Sequence, residues 1–251
     1  MVQQLRLDIL PQPDLLTCGP TCLHAVYRYF GEEIALADVI GQIPQLRDGG
    51  TLAVLLGCHA LRRGWQAQIY TFNLDVFDPT WFAEQPNRFV QRFTEQRRDH
   101  LIERLQAQRA VKTDKKLRHA SKAYIEFLEL GGSILMRDLT VNLLRHYLKR
   151  SIPVLTGLSS TYLYRDPREF GPECQPDDIR GMPTGHFVVL CGYNSDERTI
   201  RVADPFEPNP LGEKHHYEVG LEHLVCSIML GSLTYDANLL IVEPPERDSI
   251  P

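Results

Sequence analysis

Leu10-Pro11-Gln12-Pro13-Asp14-Leu15-Leu16-Thr17-Cys18-Gly19-Pro20 is the stretch on which the reading of this chain turns. It runs into a helix start, because proline is well tolerated at the first helical position, where a backbone N–H would have no partner. Apolar or aromatic residues then fall at Cys22, Leu23, Val26, Tyr27 and Phe30, one stripe of a helical period, and Gly31 closes the pattern. The spacing therefore predicts a helix opening at Cys18. Upstream, the prolines on either side of Gln12 stiffen that segment in extended form.

A thiol attacks as thiolate, and both a helix N-terminus and a neighbouring imidazolium favour that anion. Cys18 has the first of these. Cys22 lies one turn inside the helix and gains less, so Cys18 is the candidate nucleophile. Gly19 is expected to let the backbone pass close to a substrate carbonyl. Acyl transfer also needs donors aimed at the developing oxyanion. If the chain folds back, the Gln12 amide and the Cys18 N–H point at one place. Taken alone, Gln12 reads as a surface glutamine in a loop.

Moving outward, residues 35–40 and 51–61 read as helices, the second capped by Thr51 and ended by Gly64, and 66–72 alternates like a strand. Residues 75–131 change character: charge is dense and glycine absent until Gly131. Two or three amphipathic helices are expected there, as a helical insertion within a single domain spanning 1–251. Trp81, Phe82, Phe89 and Phe93 are expected to hold it to the body, and Lys112, Lys115, Lys116 and Arg118 to form a charged helix face or linker. Residues 138–149 predict another helix.

The second half switches period. Residues 153–158, 186–193, 199–204 and 239–242 read as buried strands, with a loop rich in proline, glycine and charge over 165–183. Tyr162, Tyr164, Arg165 and Asp166, around its start, are read as solvated loop, with substrate contact as the alternative. Helices first and strands second is an α+β arrangement. His186 opens a very apolar strand and Asp204 closes the next. If these two strands pair as a hairpin through 194–198, both side chains sit at one end, and the carboxylate can fix the imidazole. Each has a plainer reading as well, a core or surface histidine and an Asp-Pro turn.

Gln12, Cys18-Gly19, His186-Phe187-Val188-Val189 and Asp204-Pro205, in that order, resemble the papain-like superfamily, and within it the bacteriocin-processing, double-glycine-leader cysteine peptidases. Residues 50–64 resemble that family's third helix. The likeness covers about 8–72 and 138–242. It implies a papain-like fold, with N-terminal helices packed on a C-terminal antiparallel sheet. It also implies a Cys18–His186–Asp204 triad with Gln12 in the oxyanion hole, and a peptide or protein substrate with small residues before the cut. Against that pattern, no transporter segment is expected after the domain, and the 75–131 and 165–183 segments are extra. The same site chemistry also serves transpeptidation, amide transfer and deamidation, and the fold can serve peptide binding without turnover.

Other classes are disfavoured. The net charge of -5 offers no basic face for nucleic acid. No apolar run approaches a membrane span or a signal peptide, so a cytoplasmic protein is expected. The six cysteines show no CxxC pair or zinc-ligand spacing. His215 and His216, adjacent in a strand, point to opposite faces and make a poor metal pair alongside His223. Cys58-His59 reads as helix packing. The expected chemistry needs no cofactor.

Overall fold

In the computed structural model, which describes residues 2–46, 49–82, 94–212 and 214–245, strand β1 (Val2–Gln4) leads through Gln12 into α1 (Cys18–Tyr29), α2 (Leu36–Gln42) and α3 (Ala53–Arg62). Strand β2 (Gln66–Thr71), a 3-10 turn (Pro79–Phe82), α4 (Glu95–Val111), α5 (Lys115–Glu129), β3 (Ser133–Leu135) and α6 (Val141–Lys149) follow. The second half runs β4 (Val154–Ser159), α7 (Ser160–Tyr164), β5 (Glu169–Phe170), β6 (Gln175–Pro176), β7 (Gly185–Asn194), β8 (Thr199–Ala203) and β9 (His216–Gly220). It closes with α8 (Leu221–Leu230), a 3-10 turn (Gly231–Thr234) and β10 (Asn238–Glu243).

The main sheet has the order β3-β2-β10-β4-β7-β8-β9, antiparallel except between β2 and β3. Strand β1 pairs with the far end of β7. The α+β fold class read from the change of period is the one observed. Strand β4 is buried throughout and β7 from His186 to Tyr193, which is why neither alternates: helices cover both faces at the sheet's centre. Helix α1 lies against β7 and β4, α3 against β2 and β10, α8 against β4 and α6 against β7. Fully buried Leu23, Leu56, Leu144 and Leu148 form part of that core, and truncating any of them to alanine costs about 2–5 kcal/mol.

Several local expectations differ from what is found. Helix α3 starts after Thr51: its N-cap is Leu52, which makes no side-chain cap, and the Thr51 hydroxyl bonds Pro44 O instead. Helix α6 begins at Val141, because the Thr140 side chain caps Leu143 N–H there. The 165–183 loop carries the β5–β6 hairpin, and Tyr162 and Tyr164 belong to helix α7. Trp81 and Phe82 each meet Phe77 edge-on, and Phe77 in turn meets Tyr124 of α5, contacts internal to the 75–131 segment rather than between it and the body. Phe89 and Phe93 lie outside the described residues. Cys58 and His59 are buried packing residues, His59 bonding Tyr27 and Gln42. Among the described residues no helix is long and apolar enough to cross a membrane.

Candidate active site

Gln12 and Cys18 are brought together by the loop between them. Leu16 N–H donates to Asp14 Oδ1 at 2.8 Å and Asp14 N–H to Thr17 Oγ1 at 3.3 Å, a compact local turn of the kind that aspartate and threonine favour. Gln12 N–H donates to Pro205 O at 2.9 Å, which fastens the segment to the residue after Asp204. The Gln12 side-chain amide donates to Asp14 O at 2.8 Å, while its Oε1 is buried without a partner.

Cys18 is the first residue of α1, where the backbone N–H groups lack intrahelical partners. Gly19 has a packing reason beside the one expected. A β-carbon there would fall 2.6 Å from Thr51 Cγ2 and 3.2 Å from Phe187 Cδ2, so the glycine lets α1 press onto Thr51 and Phe187. That contact sets Cys18 beside His186. Cys22 is sealed in the interior, its sulfur against Phe187 O at 3.2 Å; burial first, then the charges at Cys18 and Asp204, push its thiol well up.

His186 and Asp204 stand at one end of the β7–β8 hairpin. The register pairs Val189 with Ala203, and one further step sets Asp204 opposite Val188. The two residues are thus diagonal neighbours on one face, within reach of long side chains. His186 Nε2 lies 2.8 Å from Asp204 Oδ1. With Nε2 engaged, Nδ1 is the nitrogen left free to take a proton from Cys18, which lines the same cavity. Burial alone would lower the imidazole's pKa. The Asp204 charge and Cys18 outweigh it and hold His186 above the ordinary histidine range.

Asp204 is fully buried and receives four donors. Oδ1 takes His186 and Phe206 N–H (2.9 Å); Oδ2 takes the hydroxyls of Tyr164 (2.7 Å) and Tyr217 (2.8 Å). Burial would raise its pKa; the imidazole, then Phe206 N–H and Tyr164, bring it below the usual carboxylate range. Tyr164 and Phe206 also flank the imidazole, each with its ring centroid 6.0 Å away. Cys18, His186 and Gln12 line one cavity of about 400 Å³, overhung by Glu169 and Met182 of the hairpin loop.

Three other histidines are engaged elsewhere: His215 Nδ1 with Asp204 O, His216 Nε2 with Leu7 O and His223 Nε2 with Leu163 O. Among the described residues no group of three His, Cys, Asp or Glu converges to hold a metal ion.

The model of the Peptidase_C39 like family matches residues 3–225 of this chain. The chain belongs to the Peptidase_C39-like family. It is a cysteine peptidase-like hydrolase. Two solved structures are similar to this Peptidase_C39-like protein. One is a double glycine motif protease from an AMS/PCAT transporter in complex with the leader peptide, at 13% identity, covering 96% of this chain and 94% of that one, TM-score 0.44. The other is xylellain, a cysteine protease from Xylella fastidiosa, at 11% identity, covering 97% and 85%, TM-score 0.42. No curated protein matches the chain.

In this Peptidase_C39-like protein the four residues singled out by motif lie together, and others stand around them that the motif did not indicate. Tyr164 sits where a solvated loop was expected. Tyr217 alternates inward on β9, and that period was available as a signal. Lys116, expected on a charged face or linker, reaches the cavity wall, as do Thr234 and Asp236 from the turn before β10.

Proposed function

We propose that this protein cleaves an amide bond of a peptide through an acyl-thioenzyme. The observation that carries the reading is the His186–Asp204 hydrogen bond at a cavity that Cys18, His186 and Gln12 all line, with Cys18 close enough to raise the imidazole's pKa. His186 takes the thiol proton of Cys18, and Cys18 Sγ attacks the scissile carbonyl as the thiolate. The Cys18 backbone N–H and the second amide hydrogen of Gln12 hold the oxyanion. Collapse expels the amine, which His186 protonates. Water, deprotonated by His186, then attacks the thioester, and the acid leaves with Cys18 restored. Asp204 orients the imidazole and stabilises its cation. The substrate is read as an extended peptide with small residues before the cut, in keeping with the resemblance of the Cys18, His186 and Asp204 motifs to double-glycine peptidases. Residues 75–131 are read as a helical insertion in a single domain spanning 1–251.

The test is peptide turnover followed by product mass spectrometry. Wild type should release a free acid and an amine, and Cys18→Ala should lose at least about a thousandfold in kcat/KM. Turnover retained by Cys18→Ala contradicts the assignment. Products joined to an added amine would convert the reaction to acyl transfer on the same thioester.

A further inference from the structure

The proposed chemistry leaves one buried carboxylate of the cavity without a task. Asp236 stands in the turn before β10, its backbone N–H held by Gly231 O at 2.8 Å. Its side chain lies over β4 and β7 where both strands carry glycine. A β-carbon on Gly157 would fall 2.8 Å from Asp236 Cβ, and one on Gly185 would collide with Oδ2. Asp236 and His186 line the same cavity.

The two oxygens differ. Oδ2 accepts from the Thr234 hydroxyl at 2.5 Å. Oδ1 accepts no hydrogen bond from the described residues and is not among their sealed, partnerless side-chain atoms, so it opens on the cavity. Lys116, the lysine of the same wall, does not pair with it: Nζ donates to Thr234 O at 3.2 Å and stands 4.8 Å above the Tyr235 ring. Asp166, Glu169 and Asp236 stand around the cavity with Lys116 and His186.

We propose that Asp236 is a specificity-determining residue, whose free oxygen binds the guanidinium or ammonium of a basic side chain close to the scissile bond. The proposal rests on the peptidase reading above. An arginine or lysine supplies both the donor that Oδ1 lacks and the charge that a buried carboxylate needs. Burial pushes the carboxyl up to about 7, against the pull of Thr234, Lys116 and His186, and the Tyr124 hydroxyl faces it from α5. A cationic ligand draws it back towards the ionised form.

The experiment compares cleavage of peptides with small residues at the cut and either arginine or citrulline, its neutral isostere, at each flanking position. At one position the arginine peptide should be cleaved with kcat/KM about tenfold higher or more, and Asp236→Asn should bring the arginine-to-citrulline ratio to about one. A second arm needs only wild type: n-butylguanidinium should compete with the arginine peptide, and n-butylurea should not. Equal cleavage of arginine and citrulline peptides at every position, or equal inhibition by the two small molecules, overturns the subsite alone. If wild type cleaves no peptide and Cys18 resists alkylation, the peptidase reading falls and the subsite with it.

Discussion

Two buried aspartates belong to the candidate site, and they sit in opposite states. Asp204 receives four donors and is held as an anion below the usual carboxylate range; Asp236 receives a single side-chain donor and is pushed up to about 7. Their exposures are 0% and 5%, so burial is close to equal and cannot set them apart. What differs is the number of donors and the contact with His186. A carboxylate supplied with partners in advance serves as fixed scaffolding for a catalytic base. One left short of partners is free to respond to whatever enters the cavity.

The largest break in this comparison should come from Asp204→Asn. It removes the charge that holds His186 up, and kcat/KM should fall about a thousandfold or more, as for other base-orienting carboxylates. The alkaline limb of the pH–rate profile should also move to lower pH, since the imidazolium loses its stabilising anion. An unmoved limb would show that Asp204 does not set the protonation of His186.

Asp236→Asn should act next most strongly, on stability as well as on the preference for arginine. The folded pKa of about 7 lies above the aspartate value of an unfolded chain. The native state therefore holds the proton more tightly, and its stability is greatest at acid pH. That contribution is lost as pH rises from the unfolded value towards about 7. At about 1.4 kcal/mol per pH unit, the advantage of asparagine over aspartate should grow by about 3 kcal/mol between pH 5 and pH 8. Thermal melts of both proteins at the two pH values check this, and a constant difference in Tm would contradict it.

The smallest effect belongs to the tyrosines. Tyr164→Phe and Tyr217→Phe each remove one donor from Asp204 Oδ2 while keeping the ring. A hydrogen bond to a charged group is worth about 1.5–3 kcal/mol, so each should lower kcat/KM by about tenfold. The double variant should bring Asp204 closer to Asp236 in behaviour, with the acid limb of the pH–rate profile rising. An acid limb that stays in place in the double variant would mean that the hydroxyls only pack.

The proposed catalytic series was open to sequence reading because its parts are local: a glutamine between prolines, a cysteine at a helix start, a histidine and an aspartate at one end of a hairpin. Asp236 carries no such mark. It follows Tyr235 in a turn without period, and its place is decided by Gly157 and Gly185 on two strands far away in the chain. Lys116 is similar: in the sequence it belongs to a run of charge, yet α5 reaches the cavity because α5 packs on α3. The 75–131 segment thus contributes a residue to the wall of the site. Gly19 was picked out for substrate access, and tertiary packing against Thr51 and Phe187 demands it too.

The most direct test of the central claim is the site of modification by one equivalent of a peptide electrophile, mapped by mass spectrometry across the six cysteines. Cys226 is exposed and Cys174 half-buried, whereas Cys18 is 8% exposed, so accessibility alone favours the first two. Activation by His186 predicts the reverse, with Cys18 modified and the others spared. Label on Cys226 or Cys174 with Cys18 untouched would contradict the account.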